Sequence, residues 1–243
     1  MSRIEIPAAF IDKAKFVRSI FTDVQREYDT LLHVMTFSFD HVWRRRMFSR
    51  IDFPLETTIL DLACGTGLVT FNLSQLGRSE TLVVGLDLSV AMLEIAKRKK
   101  QRIQMKNPIE FVRAVGEFLP FRSSSFGYVT VGLALRNFGD KLAVFREALR
   151  VLLPLGWFLS VDFVRPENSL VWKFYKFHIF HVLPSLGRLV SRYWQRTLTY
   201  LANSIMFSAS GEEICNHLVD VGFQRTLLER MTLGVVLLVG GQK

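Results

Sequence analysis

The sequence predicts an α/β protein built on a doubly wound, mostly parallel seven-stranded sheet, and three observations carry that prediction. Between residues 57 and 163, short apolar runs alternate with stretches of helical spacing, the rhythm of strand–helix–strand units covered on both faces. A glycine bend follows the first run directly, where a strand would feed a helix. The 243 residues are 49% apolar and 22% charged, enough to bury one large core and too apolar for disorder.

Ahead of the sheet, Phe10, Ala14, Val17, Phe21, Val24 and Tyr28, then Trp43 and Phe48, recur at helical spacing. They predict a helical cap over residues 1–54 that ends before Pro54. The core follows over 55–164. "TTILDLA" (57–63) reads as the first strand, and "CGTG" leads into a helix ending near Leu76. "TLVVGLDLS" (81–89) is the second strand, with a helix from Val90 to about Gln101. "IEFVRAV" (109–115), "GYVTVGLAL" (127–135) and "GWFLSVDF" (156–163) complete the first five, with a helix from about Lys141 to Leu153 between the last two. A basic, aromatic helical insertion then interrupts the alternation over 165–208. Residues 209–243 return to a helix and two strands, "FQRTLLERM" and "GVVLLVG", whose Thr-Leu-Gly link predicts a hairpin and so one antiparallel strand. All four segments are expected to form a single domain.

The formal charge of +9 calls for an anionic partner, phosphate on nucleic acid or on lipid. No helix-turn-helix, zinc finger or RNA-binding signature accompanies it, so nucleic acid is not expected. "AKRKKQR" reads as the cationic end of a helix, complementing its dipole. Cys64 and Cys215 lie too far apart for a paired framework, which suits a reducing, cytoplasmic compartment. The N-terminus has no signal-peptide core. The longest charge-free run, Leu62 to Gly77, is sixteen residues and broken by polar ones, short of a membrane span. Residues 165–196 carry six basic residues against one acid, interleaved with Trp172, Phe174, Tyr175, Phe177, Phe180, Tyr193 and Trp194. They read as a lid helix that also suits an anionic membrane surface at the inner face.

The chemistry begins at "ILDLACGTGL". Asp61 ends the first strand, and Gly65 and Gly67 let backbone N–H groups approach a ligand at a helix N-terminus. A dinucleotide site would want G-x-G-x-x-G, but here the third position is Thr70 and the acid precedes the glycines. The second strand ends in Asp87, 22 residues beyond Gly65, where a carboxylate can accept both ribose hydroxyls of a nucleoside. Its structural alternative is a helix cap, a role Ser89 fills alone. Acid and glycines on strand one with an acid ending strand two indicate adenosine without a pyrophosphate, and hence S-adenosylmethionine. At the end of the fourth strand Arg136 and Asn137 stand side by side where the apolar run stops, either at a wet loop edge or at the tip of a site.

These residues resemble the class I S-adenosylmethionine methyltransferases, a Rossmann-like fold, and among them the ubiquinone/menaquinone biosynthesis C-methyltransferases. The resemblance runs from about Val17 to Lys243 through "VRSIFTDVQREYD", "SFDHVWRR", "LDLACGTG", "GLDLSVAML", "EFLPFRSSSFGYVTVGLALRN", "EALRVLLPLG", "VDFVRP", "YLANSIMFS" and "VGFQRTLLERMTLGVVLLVGG". It implies that Gly65, Thr66, Gly67 and Asp87 hold the cofactor, within a shell that includes Asp61, Ala63, Leu88, Met92, Gly116 and Glu117. It places Arg136 and Asn137 over the reaction centre, with Tyr28 and Asp29 closing it from the cap. The sequence departs from the family at Leu68, where an Asp follows the glycine loop, and at Val115, where an acid contacts the adenine amino group. "YDTLL" and "TFSFDH" replace "Y-D-x-M-N" and "S-F-G-x-H-R". These departures imply a looser cofactor grip or a different acceptor.

The implied reaction is methylation of a ring carbon of a polyprenyl quinol. Arg136 would stabilise a phenolate or orient a water that takes the ring proton, since Arg is itself a poor base, and Asn137 would fix that water or a ring oxygen. The bland alternative is that both side chains only close on Asp140 or Glu147. His33, His41, His178 and His181 are rival bases that read as packed amphipathic side chains. No H-x-x-x-H spacing or carboxylate cluster suggests a metal, and none is expected. Two other readings share the fold: a methyltransferase or paralogous enzyme for another lipid such as phosphatidylethanolamine or a modified quinone, and a scaffold or binding subunit that has lost its cofactor; a homo-oligomer is among the expected partners.

Overall fold

The computed structural model describes residues 8–54 and 56–243; residues 1–7 and the side chains of Phe10 and Ala14, part of the expected cap, lie outside that description. Seven strands form one sheet in the order β3-β2-β1-β4-β5-β7-β6. They are β1 (Thr58–Leu62), β2 (Leu82–Asp87), β3 (Ile109–Arg113), β4 (Phe126–Gly132), β5 (Leu152–Phe163), β6 (Arg225–Met231) and β7 (Val236–Gln242). The first five are parallel, and β7 is antiparallel to both neighbours, β5 and β6. The link at Thr232–Gly234 makes the expected hairpin, with Thr232, Leu233 and Gly234 all at positive φ. Because β1 pairs with β2 on one side and β4 on the other, the crossovers depart in opposite directions there. A crevice opens at the carboxyl ends of those strands.

Side chains alternate along each strand and so feed two separate layers. Ile59, Val83 and Ile109 face one, shared with Val69 and Leu73 of α4 (Leu68–Leu76) and Ala96 of α5 (Val90–Arg102). Leu60, Leu62, Val84, Leu86, Val129 and Val131 face the other. There Val144, Phe145 and Ala148 come from a helix at Lys141–Val151, and Ile214 and Leu218 from one at Gly211–Val221. The starts of these helices follow cap chemistry. Ser89 accepts from Met92 N–H, Asp140 from Ala143 N–H, and Ser210 from Glu213 N–H, each worth about 1 kcal/mol.

The cap comprises α1 (Ala8–Asp23), α2 (Tyr28–Thr36) and α3 (Asp40–Phe48). Leu31, Leu32, Trp43, Met47 and Phe48 bury it in the first layer. Trp43 Nε1 donates to Thr232 Oγ1 at 2.8 Å, which anchors α3 at the hairpin. The insertion joins the same layer as α7 (Ser169–Phe177), α8 (Leu183–Val190) and α9 (Arg192–Met206). Between α7 and α8 the helix widens to a π turn over His178–Val182. The reason is Pro184, which has no N–H to return to the preceding turn.

Two expected boundaries are corrected. The fourth strand stops at Gly132, not 135, because Leu133 adopts φ 57 and the backbone tightens into a 3-10 turn over Leu135–Asn137. Arg136 and Asn137 therefore stand on a turn beyond the strand. The fifth strand begins at Leu152, four residues early, and its start pairs with Phe126 through a bulge.

Candidate active site

The glycine loop leaves β1 through three residues at positive φ, Ala63 (53°), Gly65 (55°) and Gly67 (88°). A Cβ on Gly67 would lie 2.7 Å from the Phe71 ring, so glycine is required both for conformation and for close packing. A Cβ on Gly65 would meet nothing within 4 Å, because this residue borders an open cleft. Asp87 ends β2 opposite the loop. Its carboxylate accepts from Gly65 N–H and Ser89 N–H, each at 2.8 Å, and desolvation pushes its pKa up against those hydrogen bonds.

Asp61 stands one layer behind the loop, buried. It accepts from Thr70 Oγ1 at 2.6 Å and Thr130 Oγ1 at 3.2 Å, and desolvation raises its pKa to about 7. It braces β1 against α4 and β4 and does not border the cleft. Thr66 is buried as well and donates to Asp29 Oδ1 at 2.6 Å. Asp29 also pairs with Lys99 of α5. Asp29, expected to close the site from the cap, borders neither cleft nor chamber, and its carboxylate ties α2 to the glycine loop and α5.

The cleft has a volume of about 870 Å³, open to solvent on one side. Ala63, Gly65, Asp87, Leu88, Met92, Gly116 and Glu117 line it, as does Val115. Thr66 and Asp61 border instead a hollow of about 390 Å³ beside it, with Leu68, whereas Gly67 borders neither. Glu117 accepts from Gly139 N–H at 3.1 Å, and a Cβ on Gly116 would collide with Phe138. Val17, Arg18 and Phe21 of α1 and Tyr28 of α2 cover the cleft, and Lys13 Nζ donates to Phe138 O at 2.8 Å across it.

Beside the cleft lies a chamber of about 350 Å³ sharing Phe21, Tyr28 and Leu133 with it. Arg136 borders this chamber and Asn137 borders the cleft, so the adjacent pair divides between them. Arg136 is buried. Its Nη1 pairs with Asp162 and donates to Leu133 O (2.7 Å), and its Nε donates to Ser204 Oγ (3.1 Å). The Nη2 edge has no hydrogen-bond partner among the described residues. Asn137 Oδ1 accepts from Tyr200 OH at 2.8 Å. The alternative pairing with Asp140 or Glu147 does not form: Asp140 caps its helix, and Glu147 engages Arg150 and Leu119 N–H. Tyr28, Tyr175 and Tyr200 surround the Arg136–Asp162 pair. Burial pushes all three phenols up, Tyr28 to about 12, so they stay protonated donors at neutral pH.

Sequence reasoning did not anticipate Asp162, Tyr175, Tyr200, Ser204, Lys99 or the α1 roof. One signal was present: "SVDF" ends its strand in an acid just as "ILDL" and "VGLD" do. The rival histidines border neither cleft nor chamber. His33 and His41 stack with centroids 4.7 Å apart, and with Asp40 they bring ligating atoms within 4.8 Å, a grouping the spacing did not suggest. Arg44 Nη2 lies 2.6 Å from Asp40 and 3.2 Å from His41, so a guanidinium already takes the place of a cation there.

Comparison with known proteins places these features. The profile of the ubiE/COQ5 methyltransferase family matches residues 10–243. The ubiquinone/menaquinone biosynthesis C-methyltransferase UbiE of Pseudoalteromonas translucida (strain TAC 125) is 33% identical over 233 residues, 96% of this chain and 92% of that protein. That of Marinomonas sp. (strain MWYL1) is 32% identical over 239 residues, 98% and 94%. Among solved structures, a SAM-dependent methyltransferase of Thermotoga maritima, a possible histamine N-methyltransferase, superposes with a TM-score of 0.63 at 15% identity. The match covers 92% of this chain and 98% of that one, a likeness of fold.

Proposed function

The chain belongs to the ubiE/COQ5 methyltransferase family, and from that membership we propose that it moves a methyl group from S-adenosylmethionine to a ring carbon of a polyprenyl quinol. The observation that carries this reading is the shared wall. One turn, Leu133 to Asn137, stands between the cleft and the chamber, whose polar end is Arg136.

The residues present fit the cofactor. The Asp87 carboxylate suits a ribose diol, Gly65 leaves open the space a Cβ would fill, and Leu88, Met92 and Val115 offer flat apolar walls for a purine. Bound there, S-adenosylmethionine supplies an electrophilic methyl on a good leaving group. The protein's own share is positioning and exclusion of water. With Asp162 neutralising its charge, Arg136 acts as a fixed donor whose Nη2 edge faces a ring oxygen and favours its anionic form. The ring carbon made electron-rich in this way would take the methyl group the cofactor supplies, and its proton would leave to a water held between Arg136 and Asn137. Tyr28, protonated, closes the chamber from the cap.

Val115 and Leu68 lack the acids of the family pattern, so shape and backbone contribute more of the cofactor's hold here. No helix among the described residues is long and apolar enough to cross a membrane. The insertion instead leaves Leu170, Phe174, Phe177, Leu186, Leu189 and Val190 exposed, interleaved with Lys173, Lys176 and Arg188. This composition supports peripheral contact with anionic lipid, where a polyprenyl substrate resides. The direct test is turnover of a demethylated menaquinol by the purified protein with S-adenosylmethionine. A product heavier by one CH₂ supports the reading, and cofactor binding without any product removes it.

A further inference from the structure

On the far side of α1 from the cofactor cleft lies a second opening, a groove of about 1130 Å³ between α1 and α9. Phe16 and Ile20 form one wall, Thr199, Tyr200 and Asn203 the other, and Phe207 stands at the rim. The groove shares Arg136 and Tyr200 with the inner chamber, which in turn shares Phe21, Tyr28 and Leu133 with the cleft. Helix α1 therefore straps across the molecule with a mouth on each side: Val17 and Arg18 border the cleft, Phe16 and Ile20 the groove.

We infer that this groove is the acceptor's own entrance and the seat of its apolar tail, so that cofactor and acceptor use separate mouths divided by α1. The inference rests on the methyltransferase reading above and deepens it. Its first support is position: the chamber behind Tyr28 and Leu133 is too narrow for a long tail, which must lie outside it. The groove lies across Arg136 from the chamber, and Arg136 is the residue that would hold the ring oxygen.

The second support is the groove's chemistry. Phe16 is 52% exposed and Phe207 84%, large apolar surfaces that water meets when nothing lies against them. Its cations are already engaged, Arg196 by Asp23 at 2.7 Å and Arg192 over the Tyr193 ring at 5.0 Å. Asn203 Nδ2 donates to Thr199 O within its own helix. An alkenyl chain would cover the apolar surface of Phe16, Ile20 and Phe207 without needing the groove's donors, Gln195 and Thr199 among them. Tyr200 borders both groove and chamber, its hydroxyl on Asn137 and its ring edge-on to Phe16 and Phe21, and so stands between tail groove and reaction centre.

The test narrows the groove without touching the chamber. Thr199→Trp and Asn203→Trp place bulk on the exposed face of α9, and calorimetric binding of S-adenosylmethionine checks that each variant is folded. Each is expected to lower kcat/KM for a long-tailed quinol, relative to a ring-matched acceptor with one isoprene unit, by about tenfold or more. That corresponds to losing the burial of about two methylene groups. A photoreactive group at the far end of the tail is expected to label α9. An unchanged ratio in both variants, or labelling confined to the cofactor cleft, overturns the groove assignment while short-tail turnover by the parent protein still upholds the methyltransferase reading. If the parent methylates neither acceptor, that reading falls and the groove assignment with it.

Discussion

At Arg136 a buried guanidinium is compensated by Asp162 and spends Nη1 and Nε on protein groups, so its Nη2 edge has no hydrogen-bond partner among the described residues. Arg136→Gln removes the donor and leaves Asp162 buried without its partner. It is expected to cost about 3–5 kcal/mol of stability and to lower kcat by about 10²- to 10³-fold while S-adenosylmethionine still binds. Stopped assays at low temperature with calorimetry of the folded fraction separate the two effects. Asp61 offers a pH test. Its pKa is raised from the ordinary carboxylate value to about 7 by desolvation, so the folded state holds its proton longer than the unfolded chain. Stability must fall as pH rises from about 4 to about 7, by ~1.4 kcal/mol for each step of one in pH, and level off above. Asp61→Asn keeps an oxygen for Thr70 and Thr130, and thermal unfolding across that range should lose this slope, leaving the variant more stable than the parent at pH 8. The acids that end β1 and β2 were legible from their place at the close of apolar runs. Their division of labour was not, because only the fold shows that Asp61 points beneath the loop and Asp87 borders the cleft.

Among elements, the latch from α2 through Asp29 to Thr66 and Lys99 joins the cap to the glycine loop. Asp29→Ala frees that end of the cap without altering the cleft's walls. It is expected to raise KM for S-adenosylmethionine about three- to tenfold with little change in kcat, and to speed amide hydrogen exchange in α1 and α2. Unchanged exchange in the cap would contradict the latch. The alternating strands and helices were readable from periodicity to within a few residues, since burial on both sheet faces imposes it. What periodicity could not reveal was the 3-10 turn at Leu135–Asn137, where a non-glycine residue, Leu133, takes positive φ, or the π turn ahead of Pro184. Neither leaves a mark in hydrophobic spacing. Contacts such as Tyr200 to Asn137, 63 positions apart, lay equally beyond it.

For the whole molecule, cap and insertion pack into the same layer on the same sheet face and place two openings on either side of α1. The insertion's exposed apolar and cationic surface gives a prediction at this scale. The protein should float with liposomes containing anionic lipid at low salt, and Lys173→Glu with Lys176→Glu should weaken flotation by about 2 kcal/mol in binding free energy. Equal flotation with neutral liposomes, or none with either, would remove the surface assignment. The family pattern pointed in the sequence to most of the cleft's lining and, through Arg136, Asn137 and Tyr28, to part of the chamber beside it; the contributions of α1 and α9 required the fold.

The central claim is that the cleft presents a methyl group to a ring carbon in the chamber beside Arg136. The most direct measurement incubates the purified protein with S-adenosylmethionine bearing a trideuterated methyl group and a demethylated polyprenyl quinol, and locates the label by tandem mass spectrometry. Label on a ring carbon, lost in Arg136→Gln, is the expected result. Label on a quinol oxygen or on a lipid amine, or no label from a protein that binds the cofactor, would contradict it.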